Sequence, residues 1–174
     1  ICEALLYLGR QSDLVVVTGG LGPTRDDLTA EAAALAFQRP LKKSREALEI
    51  VHRFFHKLGR EMTRHQEKQA MLPDGVKILD NDRGSAPGFF LQHNHCFYAF
   101  TPGVPQEMEG ILLNSVVPFL TKNYAGTIPW HQKTFKILGL PESSAENILK
   151  SLELSGLYEI GICIKFPFVH IRLS

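Results

Sequence analysis

The stretch that most constrains the fold is a glycine-rich loop between a short apolar run and an alanine-rich segment. The apolar run Leu14 to Val17 is short and β-branched, which is typical of a buried strand. The segment Thr29 to Phe37, after the loop, has the composition of a helix. In α/β folds this order holds phosphorylated ligands, because glycine lets the backbone approach the anion and N–H groups face it. The sequence therefore predicts an α/β domain with a phosphate site at residues 18–29.

Two neighbouring carboxylates, Asp26 and Asp27, make this loop unusual. Carboxylates repel phosphate unless a divalent cation lies between them, and Asp oxygens are ligands that such cations prefer. The loop therefore predicts a metal ion together with a phosphate. Its spacing matches neither the P-loop nor the dinucleotide fingerprint. A second interpretation stays open, in which the loop is a tight turn with Thr29 as helix N-cap and Glu31 in the first helical turn.

The composition of the chain excludes several classes of protein function. A chain of 174 residues suffices for one domain, or for one domain with a small appendage. The net charge of +1 gives no electrostatic case for nucleic acid, and no apolar run approaches the roughly 20 residues that cross a bilayer. The three cysteines are scattered, so a reducing, cytoplasmic location is expected. His52 and His56 lie four residues apart on a predicted helix, but the sequence places no third metal ligand beside them.

Changes in local pattern divide the chain into three parts. We predict a larger domain over residues 1–122, a linker over 123–129 that contains Gly and Pro, and a small α+β appendage over 130–174. The appendage has the order β-α-β-β, with its first strand beginning at Trp130. It carries no GxxG nucleotide clamp and no basic excess, so RNA binding is not expected.

Within the larger domain, periodicity and capping residues predict the individual elements. Leu14 to Val17 is predicted as a central strand, and Gly9 as the left-handed residue that ends a preceding helix. Apolar residues at helical spacing predict an amphipathic helix over 45–58, with Ser44 as its N-cap. Residues 89–100 are predicted to form a hairpin. Further predicted elements are a short helix over 63–71, a strand over 76–79 and a helix from Pro105 to about Thr121.

Three motifs resemble the competence-damage-inducible protein CinA family, which belongs to the wider molybdopterin-binding (MoaB/Mog-like) fold group. They are Thr18-Gly-Gly-Leu-Gly-Pro-Thr24 followed by Asp26-Asp27-Leu-Thr29, Asn81-Asp-Arg-Gly-Ser-Ala-Pro-Gly-Phe89, and Thr101-Pro-Gly-Val-Pro-Gln-Glu-Met108. The resemblance covers the whole chain. It implies a three-layer α/β/α fold with a mixed, mostly parallel sheet, followed by a small KH-like α+β domain. Because that family begins with a further strand, helix and loop, and this sequence starts at Ile1, we expect an incomplete chain. The family's amidohydrolase domain is not in these residues.

The resemblance also implies a ligand site built from the three motif loops. Asp26 and Asp27 are the expected catalytic residues and metal ligands, with a divalent cation as the cofactor. Ser85 stands where the family usually has threonine, and it keeps the hydroxyl group. Lys68, in a Lys-Gln-Ala run that recurs in the family, is expected to pair with phosphate. The predicted ligand- and phosphate-binding residues are Thr18, Gly19, Gly20, Gly22, Thr24, Thr29, Lys68, Asn81, Gly84, Ser85, Pro87, Gly88, Pro102, Gly103 and Glu107.

The activity that the resemblance implies is that of a metal-dependent nucleotide pyrophosphatase, which hydrolyses ADP-ribose to AMP and ribose 5-phosphate. An alternative stays open, in which the domain binds a molybdopterin or a nucleotide without hydrolysing it. Leu21 favours the first interpretation, since molybdopterin proteins generally have Thr at that position. The expected partners are a nucleotide diphosphate such as ADP-ribose and a second copy of the chain in a homodimer, with no nucleic acid and no membrane.

Overall fold

The computed structural model describes residues 1–124, 132–151 and 159–173. The first of its two structural units, Ile1–Ala125, contains both helices and strands. The predicted amphipathic helix, its Ser44 cap and the hairpin are confirmed. In chain order the elements are α1 (Cys2–Gly9), β1 (Leu14–Thr18), α2 (Thr29–Ala36), β2 (Leu41–Lys43), α3 (Arg45–Lys57), a 3₁₀ helix (Gln66–Ala70), β3 (Met71–Pro73), β4 (Lys77–Leu79), β5 (Gly88–His93), β6 (Cys96–Thr101), α4 (Pro105–Ile111), a π-helical segment (Leu112–Val116) and α5 (Val117–Asn123).

The main sheet has four strands in the order β1-β6-β5-β4. β1 and β6 are parallel, with Val15 opposite Tyr98, whereas the β6–β5 and β5–β4 pairs are antiparallel. The mixed sheet is therefore confirmed, but the expectation of mostly parallel pairing is wrong for the described strands. Short connections join β4 to β5 and β5 to β6, and a parallel pair needs a crossover of a dozen or more residues. Among the described strands, β1 lies at the edge of this sheet, whereas Leu14 to Val17 was predicted as a central strand.

Alternation of side chains along the strands separates two apolar cores, one on each face of the sheet. Phe89, Leu91, Tyr98 and Phe100 face the helices α1, α2 and α3, and the rings of Phe89 and Phe100 stack with centroids 4.3 Å apart. Phe90 and Ala99, the alternate residues of the same strands, face α4 and α5. Two helical layers thus cover the sheet, and the three-layer α/β/α architecture is confirmed.

The prediction that Gly9 is the left-handed residue after α1 is wrong. Gly9 is the last helical residue, and Arg10 after it keeps a right-handed conformation, with φ −78°. A Cβ atom at position 9 would overlap the hydroxyl group of Tyr98, which donates a hydrogen bond to the Leu5 carbonyl over 3.1 Å. Burial raises the pKa of Tyr98 to about 12. Glycine is thus required here by the approach of the tyrosine and not by a left-handed cap.

The second unit, Gly126–Ser174, is a small α+β arrangement. Its described elements are β7 (Lys133–Leu138), α6 (Glu142–Ser151), β8 (Ile160–Lys165) and β9 (Phe168–Leu173). The strands form an antiparallel sheet in the order β7-β9-β8, and Val169 and Ile171 of β9 pack with Ala145 of α6. The predicted β-α-β-β order is confirmed. Trp130 and residues 125–129 of the predicted linker lie outside the described residues.

Candidate functional site

The glycine turn after β1 is held by the first residue of α2. Gly19 and Gly20 have φ values of +92° and +70°, which residues with a Cβ atom rarely adopt. The Thr29 hydroxyl donates to the Gly19 carbonyl over 2.8 Å, and the Thr29 N–H donates to the Gly20 carbonyl over 3.1 Å. Thr29 is buried, and the N-cap position of α2 is Leu28. Thr29 therefore fixes the turn and is not the N-cap of the helix, so that part of the second interpretation is wrong.

The two acidic side chains of the loop converge on one hydroxyl group. Thr24 Oγ1 lies 2.5 Å from Asp26 Oδ1 and 2.5 Å from Asp27 Oδ2, and the Thr24 N–H donates to Asp27 Oδ2 over 2.9 Å. A threonine hydroxyl carries a single hydrogen, so it donates to only one carboxylate at a time. Asp26 is exposed and Asp27 is half-buried. The loop thus presents two carboxylates and a hydroxyl, all of them hard oxygen groups, at one place.

The surroundings of Asp27 favour its charged form. Partial burial by itself raises the pKa of this carboxyl group. Hydrogen bonds from the Thr24 hydroxyl, the Thr24 N–H and the Gly22 N–H, together with the positive charge of Lys68, outweigh burial and lower the pKa below its ordinary value of 3.8. A Cβ atom at Gly22 would lie 2.5 Å from Asp27 Oδ2, so glycine is needed for this approach. Asp27 is therefore ionised at neutral pH.

Lys68 supports the loop from within. Its Nζ donates to the Thr24 carbonyl over 2.6 Å and to the Asp27 carbonyl over 2.7 Å, and it lies 3.4 Å from Glu31 Oε1. Two of the three ammonium donors are thus used on the loop backbone, and the Glu31 carboxylate lies at ion-pair distance. Lys68 therefore fixes the backbone of the acidic loop, and its expected pairing with phosphate stays a prediction.

The second motif loop is closed by Asn81 and Glu107. Asn81 Nδ2 donates to the Ala86 carbonyl over 2.8 Å and to Glu107 Oε2 over 2.7 Å, and Asn81 Oδ1 accepts from the Arg83 N–H over 3.1 Å. A Cβ atom at Gly84 would overlap the Glu107 carboxylate. Glu107 belongs to the first turn of α4, so this contact connects the second motif loop with the third.

The first and third loops meet through their glycines. The Gly19 N–H donates to the Thr101 carbonyl over 2.9 Å, and a Cβ atom at Gly103 would lie 3.2 Å from Gly19 Cα. β1 and β6 are neighbours that run parallel, so their carboxyl ends reach the same edge of the sheet. All three motif loops are consequently linked by direct contacts at that edge, where α/β sheets bind ligands.

Three predicted ligand residues lie beneath the site. Pro87 and Pro102 are buried, and Gly88 pairs with Leu79 in the sheet. A Cβ atom at Gly88 would lie 2.7 Å from the Phe100 carbonyl oxygen. These residues shape the loops and do not present atoms to a ligand, so their prediction as ligand contacts is corrected. Thr18, at the end of β1, is exposed at the site edge.

Gln69 is a residue of the site that sequence reasoning did not single out. It is 4% exposed, and its Nε2 donates to Ser85 Oγ over 3.0 Å. The sequence feature that could have identified Gln69 as a site residue is its position next to Lys68. Gln69 also lines a small cavity of about 10 Å³, roughly the space of one water molecule. Other residues that line this cavity are Gly20, Leu21, Gly22, Asp27, Ala30, Glu31, Lys68, Met71 and Leu72.

The oxygen atoms of Asp26, Asp27 and Thr24 suit a metal site that substrate and water complete better than a site made of protein ligands alone. Among the described residues, no group of three or more His, Cys, Asp and Glu side chains is placed to hold a metal ion, at His52 and His56 or elsewhere. Cations such as Mg²⁺ commonly use one or two carboxylates together with substrate phosphates and water. Asp26, Asp27 and the Thr24 hydroxyl match that kind of donor set.

Comparison with known proteins places this chain among characterised folds. Residues 1–122 match the family described as "Probable molybdopterin binding domain". A CinA-like protein of Syntrophotalea carbinolica is 42% identical over 170 residues, which cover 98% of this chain and 41% of that protein. A CinA-like protein of Geobacter sulfurreducens is 41% identical over 171 residues, with coverage of 98% and 41%. The crystal structure of the protein CinA from Thermoplasma acidophilum matches with a TM-score of 0.61 at 33% identity, covering 67% of this chain and 68% of that chain.

This chain spans about two fifths of the length of these curated relatives. Within the part of the chain that the structure describes, no helix has the length and apolar character needed to cross a membrane.

Proposed function

The chain belongs to the CinA-like family, with a molybdopterin-binding domain over residues 1–122, and we propose that this domain is a metal-dependent nucleotide pyrophosphatase. The proposed substrate is ADP-ribose, which it hydrolyses to AMP and ribose 5-phosphate. The main support for this proposal is that Asp26 and Asp27 both contact the Thr24 hydroxyl, beside a glycine turn that contacts the third loop. This arrangement combines acidic ligands for a cation with bare backbone for phosphate.

In the proposed reaction, water attacks one phosphorus atom of the diphosphate. A new P–O bond forms to the water oxygen, and the bond from that phosphorus to the bridging oxygen breaks. The bridging oxygen leaves with the second phosphate, and the proton of the attacking water passes to solvent. A divalent cation bound by Asp26 and Asp27 would supply charge neutralisation on the diphosphate and acidify a water molecule.

The protein groups have distinct parts in this proposal. Because hydrogen bonds and Lys68 keep the Asp27 carboxylate ionised, Asp27 suits a metal ligand better than a proton acceptor. At Gly19 an added Cβ atom would meet only Gly103 Cα, at 3.9 Å, so this backbone is open to a phosphate, whereas Gly20 packs against Thr29. Ser85, at the second loop, contributes a hydroxyl hydrogen to a phosphate oxygen. Lys68 and Thr29 hold the loop in place, and this fixed geometry is what orients the reacting groups.

The proposal is tested by D27N, which keeps the shape of the side chain and removes its charge. We expect the wild-type chain to release AMP from ADP-ribose only with a divalent cation present, and D27N to lose at least about a hundredfold in turnover, as for removal of a group that stabilises charge in the transition state. D74N is the matched control, because Asp74 is a half-exposed carboxylate that pairs with Lys42 outside the three loops. Equal turnover of D27N and D74N would contradict the proposal.

A second candidate function is ligand binding without hydrolysis, and the description of the matching family favours it. In that case the same three loops would hold a pterin phosphate. Calorimetry with ADP-ribose, AMP and a pterin phosphate separates the two functions. Tight binding of the pterin together with an absence of AMP release would favour this second candidate.

A further inference from the structure

The 3₁₀ helix Gln66–Ala70 connects two of the three motif loops through adjacent side chains. Lys68 donates to the backbone of the acidic loop, at Thr24 and Asp27. Gln69, the next residue, donates from Nε2 to Ser85 Oγ in the second loop over 3.0 Å. One rigid turn therefore sets the position of both loops, and its two contacts have different chemical consequences.

The contact at Ser85 determines which way its hydroxyl group can act. An amide NH₂ group donates and does not accept, so Ser85 Oγ accepts from Gln69 and its own hydrogen is left to donate elsewhere. Ser85 is half-buried on the loop between Asn81 and Gly88. A serine whose oxygen is occupied by a donor is prepared to donate to an anion such as a phosphate oxygen.

The burial of Gln69 supports this orientation of the amide. Gln69 is 4% exposed, and its Oε1 is buried with no hydrogen-bond partner among the described residues. The opposite orientation would let Ser85 donate to Oε1, but the amide NH₂ group would then lose its hydrogen bond to Ser85 Oγ. An unpaired buried carbonyl is tolerated better than an unpaired N–H donor. Gln69 also lines a cavity of about 10 Å³, roughly the space of one water molecule.

We propose that Gln69 is a positioning residue: its amide turns the Ser85 hydroxyl hydrogen toward a phosphate group of the ligand. This inference rests on the proposed function for the identity of the ligand, and it goes beyond it by assigning the hydrogen-bond direction to a residue that itself need not touch substrate. Gln69 would thereby act on affinity for the phosphate through Ser85 alone.

A double-mutant cycle tests this coupling, with AMP binding to the full chain measured by calorimetry at neutral pH. Q69L and S85A should each weaken binding by about tenfold to a hundredfold, the factor for loss of one hydrogen bond to a charged group. If Gln69 acts through Ser85, Q69L/S85A should bind AMP within about twofold of S85A. S85T, which keeps the hydroxyl group, should bind AMP more tightly than S85A.

Q66L is the matched control for this cycle, since Gln66 lies on the same 3₁₀ helix and bonds to Thr63 instead of Ser85. It should bind AMP within about twofold of wild type. If Q69L fails to fold, Q69E replaces it: an ionised carboxylate accepts from Ser85 and should weaken binding at least as much. Circular dichroism and thermal unfolding of each variant establish that the loss is not a loss of folded protein.

Additive losses for Q69L and S85A, an equal loss for Q66L, or no binding of AMP by the wild-type chain would each overturn the inference. Hydrolysis of ADP-ribose, measured on the same preparations, judges the proposed function separately. If the chain binds AMP with full coupling but does not hydrolyse ADP-ribose, the inference about Gln69 stands and the pyrophosphatase proposal fails. If the chain hydrolyses ADP-ribose but the losses for Q69L and S85A are additive, the pyrophosphatase proposal stands and the inference about Gln69 fails.

Discussion

Replacing Gly20 with alanine should destabilise the first unit through two separable effects. The first is conformational, because Gly20 has φ +70° and a left-handed conformation costs a residue with a Cβ atom about 1–2 kcal/mol. The second is steric, because the new Cβ atom would overlap the Thr29 hydroxyl and lie 3.4 Å from the Thr29 nitrogen. Thr29 is buried and cannot turn that hydroxyl to water, so its bond to the Gly19 carbonyl is lost, at a cost of about 0.5–1.5 kcal/mol.

The expected total for G20A is about 1.5–3.5 kcal/mol in the free energy of unfolding. G59A is the matched control, because Gly59 has φ +64° and a Cβ atom added there would meet no described atom within 4 Å. G59A should therefore lose only the conformational part, about 1–2 kcal/mol. Both glycines lie in the same structural unit, so urea unfolding followed by circular dichroism compares them directly. A G20A variant no less stable than G59A would refute this account of how Thr29 holds the turn.

Two further predictions concern the other contacts of the site. G84A should displace the Glu107 carboxylate from Asn81 and reduce the free energy of unfolding by about 1–2 kcal/mol, measured by urea unfolding, and an unchanged midpoint would show that the contact contributes nothing. The lowered pKa of Asp27 stabilises the folded chain above the unfolded value of 3.8, and this stability is lost as pH falls through the folded pKa. The free energy of unfolding, measured between pH 5 and 2 around the ordinary Asp pKa of about 3.9, should therefore fall less steeply with decreasing pH for D27N than for wild type. Parallel curves for the two proteins would contradict this.

Local sequence patterns were sufficient for much of the first unit. The Ser44 cap, the amphipathic helix after it and the hairpin were all predicted because each is determined by residues close together in the chain. The two helical layers on the sheet were expected from the resemblance to the CinA family and not from these local patterns. Such features need no knowledge of distant contacts.

The elements that were missed depend on partners far away in the sequence. β2 and β3 are strands of three residues each, and Leu41 pairs with Pro73 across more than thirty positions. A run of three residues has too little alternation to identify a strand. The same pairing explains why the predicted helix over 63–71 is shorter, since Met71 belongs to β3 and only Gln66–Ala70 is helical.

At the site, residue types were predicted better than their contacts. The motif loops do meet, but the sequence could not show that Lys68 would be occupied by the Thr24 and Asp27 carbonyls. It could not show either that Pro87 would be buried. Gln69 was not singled out, because nothing in a Lys-Gln-Ala run indicates that the glutamine is buried against Ser85. Long side chains acquire their partners only from the tertiary fold.

The central claim is that Asp26 and Asp27 hold a cation which lets a diphosphate bind beside the glycine turn. To test it, a methylene-bridged analogue of ADP-ribose, which cannot be hydrolysed, is titrated calorimetrically into the wild-type chain and into D27N, each with Mg²⁺ and with a chelator. Binding to wild type should be tight with Mg²⁺ and at least about tenfold weaker with the chelator, a difference of roughly 1.4 kcal/mol. D27N should show no such dependence on Mg²⁺. Equal affinity in all four titrations would contradict the claim.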